Sequence, residues 1–190
     1  MKIKLPIKCE ELTLRRITDQ DFSDLRDYYS TPEVARYQFW DAFTDEQVAQ
    51  LVESQANVRP GDPGVPIVLA VVLDAENRVI GDCSLTITSD EDRQADIGFA
   101  FNPRYHGNGY ATKAVNATLG FGFRQLGLHR ISGATDVRNE RSWKLMERIG
   151  MRREAHFVHD CHTKGEWVDD YLYAMLEDEW PQFGCCLDQQ

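Results

Sequence analysis

Apolar and polar positions alternate along the chain with two different periods, and the switches between them mark its elements. Glu11 to Arg16 alternates with Leu12 and Leu14 on one face, which predicts a strand. Phe22, Leu25, Tyr28 and Tyr29 then recur at helical spacing behind Asp19, a good N-cap residue, and Thr31-Pro32-Glu33 breaks that helix. The run from Val34 to Asp41 has no clear period and carries Tyr37, Phe39 and Trp40. Thr44 opens a second helix, extending to about Val58, with Gln47 completing a capping box. After the loop at 59–64, Pro66 to Leu73 and Val79 to Thr88 are β-rich runs that predict an antiparallel hairpin.

The most informative stretch is Gln94 to Leu126. Ala95 to Phe101 places Ile97, Phe99 and Phe101 on one face of a strand and Asp96, Gly98 and Ala100 on the other, and Pro103 stops it. After R-Y-H-G-N-G-Y-A (104–111), the small and apolar positions Ala111, Ala114, Val115, Thr118, Leu119 and Gly122 fall at helical spacing, and Gly127 closes the last turn. A strand, a glycine-bearing turn and a helix in this order put unpaired backbone N–H groups at the positive end of a helix dipole, where a phosphate can bind. Two familiar phosphate loops are excluded: there is no G-x-x-x-x-G-K-[ST] pattern, and Thr112 occupies the third glycine position of G-x-G-x-x-G. Further strands are predicted over His129 to Asp136, Met151 to Val158 and Val168 to Met175, the last two joined by a long connection. Between the first two of these, Asn139 caps a helix that stops at Gly150.

Composition narrows the classes. At 190 residues the chain is read as one domain over 1–190, with a core of about 10–181. A net charge of −10 argues against a general nucleic-acid binder and favours cationic partners. Met1 to Lys8 is interrupted by lysines and Pro6, and no later run approaches membrane-spanning length, so a cytoplasmic protein with no membrane partner is expected. The five cysteines form no C-x-x-C pair and are read as reduced thiols, Cys185 and Cys186 in an exposed tail. His159-x-Cys161-His162 lacks a fourth ligand at a suitable spacing, so no metal is expected.

The pattern Arg104-x-x-Gly107-x-Gly109, with Ala111 two residues on, resembles the pyrophosphate loop of the GNAT acyltransferases, which bind acetyl-coenzyme A (acetyl-CoA). Asn139-x-x-Ser142 with Leu145 and Glu147-Arg148-Ile149-Gly150-Met151 resembles a second GNAT segment, in the correct order and at the expected distance. T-L-R-R and S-T-P-E-V-A-R-Y near the start, with the end of the chain from Gly165 to Trp180, look like the ribosomal-protein N-terminal acetyltransferase branch. The resemblance spans about residues 10–181. It implies an α/β (α+β) single-domain fold, with a central mixed, mostly antiparallel sheet and helices on both faces. It further implies that acetyl-CoA is the cosubstrate. The backbone of Ala100 and Phe101 would pair with the pantetheine arm, Arg104, Gly107, Asn108, Gly109, Tyr110 and Ala111 would hold the pyrophosphate, and the Asn139 side chain would bond the arm. Homodimers are common in the family.

For the chemistry, Asp96 stands where several GNAT enzymes carry a glutamate base; it is either the base, directly or through a water, or a carboxylate that pairs with a neighbouring strand. Many relatives protonate the departing thiolate with a tyrosine at the position of Met146, which cannot donate. Ser142 matches a serine of the ribosomal branch and is the candidate acid, or it satisfies the first turn of its helix. Tyr37 and Trp40 either wall the acceptor pocket or form a core cluster beneath a loop. The expected activity is acetyl transfer from acetyl-CoA to a primary amine, on a protein N-terminus or on a small molecule such as a polyamine, antibiotic or amino acid. A catalytically silent acyl-CoA-binding protein is the competing class.

Overall fold

The computed structural model describes residues 3–180, so Cys185 and Cys186 lie outside the described residues. Within that range eight strands form one sheet: β1 (Ile7–Cys9), β2 (Leu12–Arg16), β3 (Ile67–Leu73), β4 (Arg78–Ser89), β5 (Gln94–Phe101), β6 (Arg130–Asp136), β7 (Arg152–Thr163) and β8 (Glu166–Leu176). Their spatial order is β1-β2-β3-β4-β5-β6-β8-β7. Every neighbouring pair is antiparallel except β5 and β6, which run parallel and are joined by a helix, as a parallel crossover requires. The helices are α1 (Phe22–Tyr29), α2 (Pro32–Ala35), α3 (Asp45–Gln55), α4 (Tyr110–Gln125) and α5 (Glu140–Arg148).

Two apolar layers hold the sheet between helices. On one face Leu14, Leu69, Leu85 and Ile97 pack against Val115, Leu119 and Phe121 of α4 and Leu145 of α5. On the other, Val68, Ala70 and Val72 pack against Leu25 and Tyr28 of α1 and Val48 and Val52 of α3. All seven residues of β3 are buried, because helices cover that strand on both sides. Each fully buried Leu, Ile or Val contributes about 1.5–3 kcal/mol relative to an exposed one.

Several expectations change. Strand β1 was hidden in the lysine-interrupted start, where Ile7 and Cys9 face the core and Lys8 faces out; three residues are too few to show a period. Asp19 does not cap α1. Thr18 holds the cap position of a one-turn 3₁₀ segment, and the Asp21 carboxylate turns back onto the Thr18 N–H at 2.7 Å while accepting two bonds from Arg15. α1 ends at Tyr29, before Thr31-Pro32-Glu33 as expected, and that segment goes on to start the short helix α2, whose first turn accepts proline because that N–H has no intrahelical partner. The long connection after Val158 is strand for most of its length. β7 and β8 run to a tight turn at Lys164-Gly165, with a register shift between Phe157 and Cys161. β7 is exposed along nearly all of its length, so no apolar alternation marked its continuation past Val158.

One buried charge lies between the layers. Asp82 of β4 is 4% exposed and accepts a hydrogen bond from the Tyr28 hydroxyl at 2.7 Å. Burial pushes its carboxyl up from 3.8 to about 6, against the Tyr28 and Tyr29 hydroxyls, which pull it down. The folded protein therefore holds this proton more tightly than the unfolded chain does. The resulting stabilisation is complete below about pH 4 and is lost as pH rises through about 6. In urea unfolding at a series of pH values, Asp82→Asn should gain stability relative to wild type between pH 4 and 7, by up to about 3 kcal/mol. Parallel pH profiles for the two proteins would contradict this account of Asp82.

Candidate active site

The site begins where two strands part. β5 pairs with β6 at only three positions, Gln94, Ala95 and Asp96 opposite Arg130, Ile131 and Ser132. Beyond them β5 continues along β4 to Phe101, and β6 continues along β8 to Asp136. The facing edges of 97–101 and 133–136 thus separate into a cleft of about 1410 Å³, lined among others by Ile97 to Phe101, Ala134 and Thr135. Each edge carries backbone groups that a sheet would normally pair.

At the wide end lies the glycine turn. The Asn102 side chain accepts from the Arg104 N–H at 3.1 Å and sets a 3₁₀ turn over Pro103–Tyr105. Asn108 donates its amide to the carbonyls of Tyr105 and His106, at 3.2 and 3.3 Å, and so braces the loop from within. Gly107 and Gly109 adopt φ of +84° and +81°, and a Cβ on either would meet no atom within 4 Å. The loop therefore presents bare backbone to open space. Gly109 is the N-cap of α4 and no side chain caps that helix, which leaves its first N–H groups for a ligand. These features fit a diphosphate.

Opposite the loop, Asn139 caps α5 by accepting from the Ser142 N–H at 3.4 Å, and both residues line the cleft. Met146, 1% exposed, is part of the cleft floor, and a Cβ on Gly133 would stand 3.2 Å from its sulfur. Its burial accounts for an apolar residue at that position. Asp96 sits at the vertex, on the face shared with Gly98 and Ala100, and accepts the Ser132 hydroxyl at 2.5 Å. It is thus paired to the neighbouring strand and is not among the cleft-lining residues.

Of the aromatic run, Tyr37 lines the cleft, between the guanidinium of Arg36 at 5.0 Å and that of Arg138 at 6.0 Å. Trp40 does not. It stacks on Tyr29 at 5.0 Å and packs with Phe43 over the α1–α3 layer, so the placement of Trp40 in the pocket is corrected to the core cluster. Phe39 is 91% exposed. His159 and His162 do not converge with Cys161; among the described residues Cys161 groups with Asp160 and Asp170 instead.

Charge in the cleft runs against charge in the chain. Six lining residues are basic (Arg36, Lys113, Arg138, Arg141, Lys144 and Arg148) and two acidic, Glu33 and Glu140, although the chain carries −10. Arg138 is held by Asp136 at 2.5 Å and Glu166 at 2.8 Å. Burial alone would raise Asp136, but the Arg138 guanidinium and N–H outweigh it and keep the carboxyl below its ordinary value. Ser132, Arg138 and Arg141 were not singled out from the sequence; their places follow from strand register and from the start of α5, which no local pattern reveals.

An acetyltransferase (GNAT) domain model matches residues 11–152. The chain belongs to the GNAT acetyltransferases. It is 35% identical to the uncharacterized N-acetyltransferase YnaD of Bacillus subtilis over 92% of this chain and 98% of that protein. A crystal structure of a GNAT-family acetyltransferase from Bacillus anthracis, 33% identical, superposes with a TM-score of 0.84 over 92% of this chain and all of that one. The [ribosomal protein uS5]-alanine N-acetyltransferase of Escherichia coli is a more distant relative, 22% identical over 93% of each chain. As a GNAT enzyme the protein is an acetyl-CoA-dependent N-acetyltransferase. Among the described residues no helix is long and apolar enough to cross a membrane.

The left-handed backbone at Gly109 is directly testable. Gly109→Ala meets no steric obstacle, so its effect is conformational and should cost about 1–2 kcal/mol in denaturant unfolding. An unchanged midpoint would contradict the loop geometry.

Proposed function

We propose that this GNAT enzyme acetylates an α-amine, that of a polypeptide N-terminus. The observation that carries the coenzyme half of this reading is the parting of β5 and β6 directly beneath an uncapped glycine turn. The backbone of Ala100 and Phe101 offers the pairs for the pantetheine arm, with the Asn139 amide opposite. The backbone from Gly107 to Ala111 holds the diphosphate, Asn108 keeps that turn in shape, and Arg104, exposed beside the cleft and not among its lining residues, adds charge at its edge. Acetyl-CoA, when bound, supplies an activated acetyl thioester.

Two features support an α-amine. At pH 7 an α-amine, with a pKa near 8, is neutral about one time in ten, whereas a lysine amine is neutral only about once in two thousand. A site with a weak base therefore suits the α-amine. Asp96 is such a base: it is engaged with Ser132 and offset from the cleft, so a relaying water carries the amine proton to it. Second, the Arg36 guanidinium over Tyr37 makes that cleft wall cationic and disfavours a polycation there. The Ser142 hydroxyl gives its proton to the departing sulfur and takes one back from solvent in the open cleft, and positioning of the two reactants contributes most of the rate, about 7–11 kcal/mol against some 3–5 from proton transfer. The E. coli relative acts on a ribosomal-protein alanine, in keeping with this class of acceptor. A small-molecule α-amine, such as that of an amino acid, is the second reading, supported by the same cationic wall.

Mass spectrometry after incubation with acetyl-CoA tests the acceptor. Acetylated N-terminal peptides, with blocked lysine peptides and polyamines left unmodified, are expected. Turnover of polyamines alone would reject the α-amine, and coenzyme binding without turnover on any amine would favour a silent binder. Asp96→Asn should slow acetylation of the N-terminal peptide, and a wild-type rate would remove Asp96 from the base role. Ser142→Ala should lower kcat by about 10²-fold with little change in KM for acetyl-CoA; an unchanged kcat would leave the thiolate to depart without it.

A further inference from the structure

Arg141, in the first turn of α5, reaches across the mouth of the cleft. Its Nη1 lies 3.0 Å from His106 Nδ1 and 3.5 Å from Glu33 Oε1. His106 belongs to the glycine turn and Glu33 to α2, just before the Arg36 and Tyr37 wall at which the acceptor is proposed to enter, and all three residues line the cleft. The His106 ring is fixed by its other nitrogen, which sits 3.2 Å from the Phe101 carbonyl. A carbonyl only accepts, so Nε2 carries the hydrogen, and Nδ1 is left to accept from the Arg141 guanidinium.

This clasp is weak by construction. The Arg141 and Glu33 side chains are 75% and 63% exposed, and exposed ion pairs contribute little. A diphosphate seated in the turn would offer the same guanidinium two charged oxygens in the planar geometry it binds best. We propose that Arg141 is a ligand of the coenzyme diphosphate that rests on His106 and Glu33 in the free protein, and that its transfer to the diphosphate frees Glu33 on the acceptor side. Coenzyme arrival then leaves an unpaired carboxylate beside the path of the incoming amine. The inference rests on the coenzyme reading of the glycine turn and adds a coupling between the two substrates.

Titration calorimetry of the full chain with coenzyme A, dephospho-coenzyme A and pantetheine tests it. Arg141→Gln should weaken both nucleotide-bearing ligands by about tenfold or more and leave pantetheine unchanged, with Arg141→Lys between it and wild type. Glu33→Gln removes the competitor and should tighten coenzyme A by up to about fivefold. Unchanged affinities in Arg141→Gln would overturn the proposal, as would a loss seen with coenzyme A but not with dephospho-coenzyme A, which would put Arg141 on the 3′-phosphate. Weaker coenzyme binding by Glu33→Gln would also overturn it. A wild type that binds coenzyme A separates failure of the clasp from failure of the coenzyme reading, and a wild type that gives no heat removes both. Melting curves confirm that the exposed substitutions leave the fold intact.

Discussion

Everything functional here depends on backbone that is left unpaired inside a sheet. β5 keeps its hydrogen bonds to β4 as far as Phe101, while its other edge leaves β6 after Asp96. Buried peptide groups without partners are costly, so a sheet opened in its middle needs either water or a ligand with its own amides. The pantetheine arm of acetyl-CoA, the cosubstrate of the GNAT family, has such amides. The neighbouring strands tolerate the opening because each is anchored on its far side, β5 by β4 and β6 by β8, and because apolar layers clamp the sheet on both faces.

On the proposed reading, the glycine turn extends the same principle from neutral amides to anion binding. Gly107 and Gly109 remove the side chains that would hold a ligand off, and the uncapped start of α4 directs its dipole at the space they leave. Around it the cleft is basic although the chain is acidic. Net charge thus misdescribes the site, since the acidic excess lies elsewhere and local lining decides which ligand is attracted. Arg138, Arg141 and Tyr37 show how that lining is organised: one guanidinium is neutralised by Asp136 and Glu166, another bridges two walls, and an aromatic ring lies between two cations.

Features that depend on a few neighbouring residues were legible in the sequence. The glycine turn, α4 with its 3.6-residue period, the Thr44–Gln47 capping box and the Asn139 cap all lie within one or two turns of the residues that announce them. The β5 alternation also held, with Ile97 and Phe101 in one layer and Ala100 in the other. Features set by distant pairing were not legible. The contact of Asp96 with Ser132 depends on the register of two strands joined by a helix, and the reach of Arg141 to Glu33 joins residues far apart in sequence. Trp40 illustrates the remaining difficulty: an aromatic run without a period gives no sign of which ring enters the core, and here Trp40 stacks on Tyr29 while Phe39 faces solvent. The continuation of β7 past Val158 was not legible for a related reason, since a strand with no buried face carries no apolar alternation.

Amide hydrogen exchange with and without coenzyme A tests the central claim most directly. The backbone of Ala100 and Phe101 along the cleft and the N–H groups from Gly107 to Thr112 should slow together when coenzyme A is added, while β3, already covered on both faces, stays as it was. If coenzyme A leaves exchange in these two segments unaltered, the parted strands and the glycine turn are not where it binds, and the account of the site is wrong.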